Sequence, residues 1–180
     1  MTVSLDSADG IAVIRIDEPS DTVLPAVRAR LPAVAGARAV VLLVGPHLCA
    51  VDIKRLVRAS PAQREAFAAA VRGVRDEVAN LPVPVVAAID GSPFGEAAEL
   101  AMACDRRVLA ANGGLGWVTD GRGTGGRVLV ARRVTADEAL RTGLVDRVVP
   151  PAAVVPTAVQ LANECKSTQA ERKSCRIVAP

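Results

Sequence analysis

The 180-residue sequence predicts an α/β domain built on a largely parallel sheet, and three observations lead there. Short apolar runs at 38–45 (RAVVLLVG), 83–90 (VPVVAAID) and 106–112 (RRVLAAN) have the length and continuity of strands buried on both faces. Segments with helical periodicity or helix-start signals separate them, and such alternation is the signature of α/β architecture. Neither an internal repeat nor a linker interrupts the chain, so one domain is expected over 1–164, followed by a charged, poorly ordered tail over 165–180.

Each element has its own cause. TVSLDSADGIAVIRIDEP, 2–19, reads as a hairpin, because two β-rich runs flank Asp9-Gly10. A short helix is expected over 25–34. After the 38–45 strand comes a loop around His47, and DIKRLV, 52–57, starts a short helix. Ser60, Pro61 and Gln63 form a helix start in which Ser60 caps, Pro61 takes the first position and Gln63 closes a capping box. Phe67, Val71, Val74, Val78 and Leu81 then recur at helical spacing, one apolar stripe on an amphipathic helix of about five turns. Gly91 to Gly95 makes a tight turn into the helix that carries Glu96 and Glu99. Thr135 to Glu138 is a second capping box, and Gly143 ends that helix. LVDRVVP is a short strand, and Pro151 or Pro156 opens a last helix.

Composition excludes several functions. About half the residues are hydrophobic (51%), so a core forms without disulfides or metal. Net charge is only +3, the arginines are scattered and aromatic residues make up 2%, which argues against nucleic-acid binding, where clustered charge and stacking platforms are needed. Cys49, Cys104, Cys165 and Cys175 contain no C-x-x-C pair, and with His47 as the sole histidine no ordinary zinc site can be assembled. Cys49 and Cys104 lie in apolar runs and read as small buried hydrophobes. The N-terminus lacks the pattern of a signal peptide and no apolar stretch reaches membrane-spanning length, so a cytoplasmic location is the default expectation.

Three blocks carry a family resemblance. VVLLVGPHLCAVDIKRL, VPVVAAIDGSPFGEAAELAMACDRRVLA and VTADEALRTGLVDRVVP resemble the segments that the crotonase, or enoyl-CoA hydratase/isomerase, superfamily writes around F-C-A-G-A-D, around P-x-x-A-x-x-G-x-x-x-G-G-G-x-E-L-A-x-x-C-D, and at the end of its core. With the weaker match of GIAVIRIDEP, the resemblance covers about residues 10–150. It implies a ClpP/crotonase-type ββα superhelix core, here with a truncated C-terminal helical region. It implies an acyl-CoA thioester ligand, with no cofactor besides that coenzyme A substrate, and self-association as a homotrimer or dimer of trimers. An apolar helix near 151–163 in need of a partner surface points the same way.

The resemblance also implies roles. Two backbone N–H groups hold the thioester oxygen as it becomes negative, an oxyanion hole, and they fall at Val51 and Glu96. The helix beginning near Glu96 aims its N-terminal dipole at the same oxygen. Ala50, Asp52 and Ile53 fall where the coenzyme A moiety is bound, its adenine end near Asp52 and Ile53. The loop LCAVD is one residue shorter than the family's and lacks its glycine, and Glu96 and Ala97 stand where the family has glycine. The Glu96 carboxylate is expected to point away, since it would repel an oxyanion.

Glu99 matches the catalytic glutamate of the family's hydratases. Read physically, it is an acid in an apolar helix, where desolvation raises the pKa towards that of a useful general acid or base; the bland reading is an acid favouring a helix N-terminus. The family's second glutamate has no counterpart in LGWVTDG, 115–121: Thr119 is in register and Asp120 one residue late. Asp120 is either a displaced second acid or a solvated aspartate in a turn before Gly121. GRGTGG, 121–126, fits G-x-G-x-x-G but lacks a clear preceding strand and a following acid, and is expected to be a turn before a helix. Trp117 reads as core and His47 as a solvated loop residue. The expected activity is enoyl-CoA hydratase or isomerase chemistry with Glu99 as acid/base; the alternative is a catalytically weak acyl-CoA binding protein or a scaffold.

Overall fold

The computed structural model describes residues 3–16, 23–45, 60–123 and 126–165. Strands β1 (Val3–Ala8) and β2 (Ile11–Ile16) form the expected hairpin. Its turn has Asp9 and Gly10 at φ 52° and 78°, the left-handed pair that a two-residue hairpin loop demands. Helix α1 (Val23–Val34), strand β3 (Ala39–Val44), helix α2 (Pro61–Ala79) and strand β4 (Val85–Ile89) follow. Then come helix α3 (Glu96–Ala103), strand β5 (Arg106–Ala110), the long strands β6 (Gly114–Gly123) and β7 (Gly126–Thr135), helix α4 (Ala136–Arg141) and strand β8 (Arg147–Val149). A 3-10 turn at Pro151–Ala153 leads into helix α5 (Val154–Glu164).

The main sheet has six strands in the order β1-β2-β3-β4-β5-β8. Only the first pair is antiparallel; the other four pairings are parallel. Alternate residues of each strand face opposite layers. Val40, Leu42 and Val44 of β3 and Val85, Ala87 and Ile89 of β4 pack in one core with residues of α1, α2 and α3. Ala39, Val41, Val86 and Ala88 point the other way, towards Val154, Ala158, Leu161 and Ala162 of α5. Burial on both faces is why these strands read as continuous apolar runs.

The first capping box forms as the sequence predicts, and the second forms only by half, through its threonine. The Ser60 hydroxyl accepts from the Gln63 N–H (3.2 Å) while the Gln63 side chain accepts from the Ser60 N–H (2.8 Å). Thr135 accepts from the Glu138 N–H (3.3 Å), and Gly143 closes α4 at φ 75°.

Three expectations are corrected. First, a strand rather than a helix follows the GRGTGG segment. β6 and β7 pair along ten residues each, from Gly114↔Thr135 to Gly123↔Gly126. The β-branched Val128, Val130, Val134 and Thr135 suit a strand, and among the described residues no helix N-terminus stands there to receive a dinucleotide phosphate. Second, Asp120 lies within β6, in register with Leu129, and not in a turn. Third, the apolar face of α5 is covered by the chain's own sheet, so that helix supplies no argument for self-association. α5 is further pinned by Arg38, whose guanidinium donates to Asn163 and to the Asp9 carbonyl (3.1 Å).

Among the described residues, no helix is long and apolar enough to cross a membrane. His47 and its loop, the DIKRLV helix and the 166–180 part of the tail lie outside the described residues.

Candidate functional site

The site is built where β3 and β4 end. Val44 and Ile89 are parallel partners, and the Asp90 N–H donates to the Val44 carbonyl (3.3 Å). The two strands therefore end side by side, at the carboxyl edge where parallel α/β sheets place their ligands. Val51, with Ala50, Asp52 and Ile53, belongs to the segment after β3 and lies outside the described residues.

The segment after β4 is held by backbone hydrogen bonds. Gly114 N–H donates to Gly91 O (3.1 Å), Gly116 N–H to Pro93 O (3.1 Å) and Gly95 N–H to Gly116 O (2.8 Å). These bonds stitch the 91–95 turn to the start of β6. Such close approach excludes side chains: a Cβ on Gly113 would lie 2.2 Å from the Gly91 carbonyl oxygen, and one on Gly116 would lie 2.2 Å from Cδ2 of Phe94. Gly95 itself sits at φ 61°, ψ −122°, a conformation that glycine adopts at least cost.

That stitching fixes where α3 begins. Its first intrahelical bond runs from the Glu99 N–H to Gly95 O (3.0 Å), so the N–H groups of Glu96, Ala97 and Ala98 precede any intrahelical acceptor. No side chain of Gly95 caps them. The arrangement is a donor cluster at the positive end of a helix, suited to an oxygen that gains negative charge. Glu96, assigned from the sequence as one donor, is the first residue of α3.

The opposite end of α3 is closed by an arginine that sequence reasoning missed. Arg107 is 1% exposed. Its guanidinium donates to Leu144 O (2.7 Å), Cys104 O (2.7 Å) and Met102 O (3.4 Å), placing positive charge at the negative end of the helix. Asp105, 5% exposed, accepts from the Val85 N–H (2.8 Å), while its own N–H donates to Val85 O (2.8 Å). The C-D-R-R stretch thus joins the end of α3 to the start of β4. Three consecutive charges, Asp105, Arg106 and Arg107, in an otherwise apolar run were the available signal.

Glu99 occupies a different setting from the one its sequence suggests. α3 is buried along Ala97, Ala98, Leu100 and Ala101, but the Glu99 side chain is 46% exposed and its Oε2 lies 3.9 Å from Nη1 of Arg75 on α2. The desolvated environment expected for it is absent, because α3 turns this position away from the sheet. Trp117 is half-buried against the core, as expected, and Cys104 is buried. Asp120 stays on the β6–β7 ribbon. A cleft of about 180 Å³ flanks the 91–95 turn on its β6–β7 side, between Ser92, Phe94, Gly116 and Arg133, and the Arg133 guanidinium stands 5.8 Å from the centroid of the Phe94 ring. Among the described residues no group of His, Cys, Asp and Glu could hold a metal ion.

Residues 7–117 match the family model described as enoyl-CoA hydratase/isomerase. Human mitochondrial methylglutaconyl-CoA hydratase is 44% identical over 67 residues, 37% of this chain and 20% of that protein. The short-chain-enoyl-CoA hydratase of Clostridium acetobutylicum is 36% identical over 107 residues, 48% of this chain and 41% of that one. The chain thus spans well under half the length of these curated relatives. Among solved structures, the enoyl-CoA hydratase from Bacillus anthracis superposes with a TM-score of 0.76 at 26% identity, covering 91% of this chain and 76% of that one.

Proposed function

The chain belongs to the enoyl-CoA hydratase/isomerase family and has the crotonase fold, and from that premise we propose that it binds an acyl-CoA thioester and polarises the thioester carbonyl between the N–H groups of Val51 and Glu96, with Glu99 as general acid/base. The observation that carries this reading is the N-terminal turn of α3, which has no side-chain cap among the described residues and is held by three backbone hydrogen bonds to β6 beside the carboxyl ends of β3 and β4. Donors fixed before the reaction stabilise developing charge without reorganising.

A one-acid isomerisation suits these residues best. The Glu99 carboxylate takes a proton from C2 of a 3-enoyl thioester. The electron pair moves through the carbonyl to its oxygen, whose negative charge the two N–H groups hold. The protonated carboxyl returns that proton at C4 as the double bond settles between C2 and C3. Hydration would need a second group to activate water, and β6 offers Thr119 in register with Asp120 one residue on; Asp120 is proposed as a minor contributor at most. Ala50, Asp52 and Ile53 are proposed to line the coenzyme A site. Homotrimeric assembly, or a dimer of trimers, and a cytoplasmic place complete the reading.

A second reading, acyl-CoA binding without turnover, is favoured by one observation: Glu99 is exposed and already faces a cation. One assay panel separates the two. Calorimetry with acyl-CoA thioesters of several lengths is expected to show binding, and 2- and 3-enoyl-CoA substrates are expected to turn over. Binding without turnover selects the second reading, and no heat with any thioester removes both.

A further inference from the structure

The Arg75–Glu99 contact joins two helices at the proposed acid. Arg75 is on α2 and 38% exposed, with its Nη1 3.9 Å from Oε2 of Glu99. Its other two nitrogens are occupied: Nε and Nη2 both donate to Oδ1 of Asp76, each at 3.2 Å. Asp76 therefore fixes the plane of the guanidinium and leaves Nη1 facing α3. α2 itself is held in place by Val71, Val74 and Val78, all buried in the core that α3 shares.

From this geometry we infer that Arg75 is a positioning residue for Glu99, itself oriented by Asp76. The inference rests on the reading of Glu99 as the acid/base. A glutamate with an exposed carboxylate samples many rotamers, and proton transfer needs one of them, within hydrogen-bond reach of the reacting carbon's proton. A planar, pre-organised guanidinium limits that freedom at less entropic cost than an ammonium would. Arg75 touches neither thioester nor coenzyme A in this scheme, so it acts on the proton-transfer step and not on binding.

The test uses the full chain and steady-state and single-turnover kinetics with a four-carbon 3-enoyl-CoA. Arg75→Gln is expected to lower kcat about twofold, within the range that an exposed ion pair supplies, with KM unchanged. Arg75→Lys is expected to recover part of that loss. In a Glu99→Gln background, Arg75→Gln is expected to cost nothing further, because the two act as one unit. A purely structural arginine would give the same loss in both backgrounds, and that result overturns the inference. So does an Arg75→Gln variant with wild-type kcat while Glu99→Gln is impaired; the functional reading then survives alone. Full activity in Glu99→Gln, or no turnover by the native chain, overturns the functional reading and this inference with it.

Discussion

Asp105 and Glu99 sit six positions apart at one helix and have opposite surroundings. Asp105, just past the end of α3, is buried and accepts the Val85 N–H. Glu99, in the first turns of α3, is exposed and faces Arg75. Burial of a charge is costly unless its hydrogen bonds are satisfied, so the buried acid is the one committed to the fold. The exposed acid is open to solvent, with one oxygen 3.9 Å from Arg75. Desolvation therefore does not single out Glu99 in this chain; the proposed role rests on its place in the first turn of α3.

The largest expected effect breaks the pair apart functionally. Glu99→Gln keeps size and hydrogen-bonding capacity while removing the titrating group, and turnover of an enoyl-CoA should fall by about a hundredfold to ten-thousandfold, the usual contribution of general acid–base catalysis. Acyl-CoA affinity by calorimetry should stay near wild type. Full activity in this variant would make Glu99 as structural as Asp105.

Asp105→Ala should do the reverse. It leaves the buried Val85 N–H without its carboxylate acceptor, which costs about 1–3 kcal/mol. Urea denaturation followed by circular dichroism should show a lower midpoint at constant slope, while kcat per folded molecule stays near wild type. A large loss of kcat without a change in midpoint would reverse the assignment of the two acids. Asp105→Asn retains one oxygen to accept that N–H and should fall between Ala and wild type.

Much of this was legible in the sequence. The Asp9-Gly10 turn, the Ser60–Gln63 box and the double-faced strands each depend on neighbours in sequence, and each stands where expected. The β6–β7 ribbon was misread because a glycine-rich segment suggested a turn before a helix, while cross-strand pairing between distant residues decides the matter. Exposure of Glu99 was illegible for another reason. Its neighbours Ala98 and Leu100 are apolar, yet a helix rotates each residue by about 100°, so adjacent positions need not share a face. Arg107 was hidden likewise: only the fold brings Leu144 O beside its guanidinium.

The smallest expected effect is the most discriminating between the two acids. If Glu99 is held by Arg75 for chemistry and not for stability, breaking the ion pair should barely change the folding free energy. Both side chains are more than a third exposed and the closest N···O distance is 3.9 Å. Exposed pairs of this kind contribute about 0–1 kcal/mol, because solvent screens the attraction and two long side chains lose freedom. Glu99→Gln and Arg75→Gln, each followed by urea denaturation, should therefore lie within about 0.5 kcal/mol of wild type, the usual range for surface substitutions. Their double variant should be additive in stability while remaining non-additive in kcat. Stability coupling of more than about 1 kcal/mol, beyond the range of exposed pairs, would show that the contact chiefly braces α2 against α3, and Glu99 would then belong with Asp105 among the residues that hold the fold.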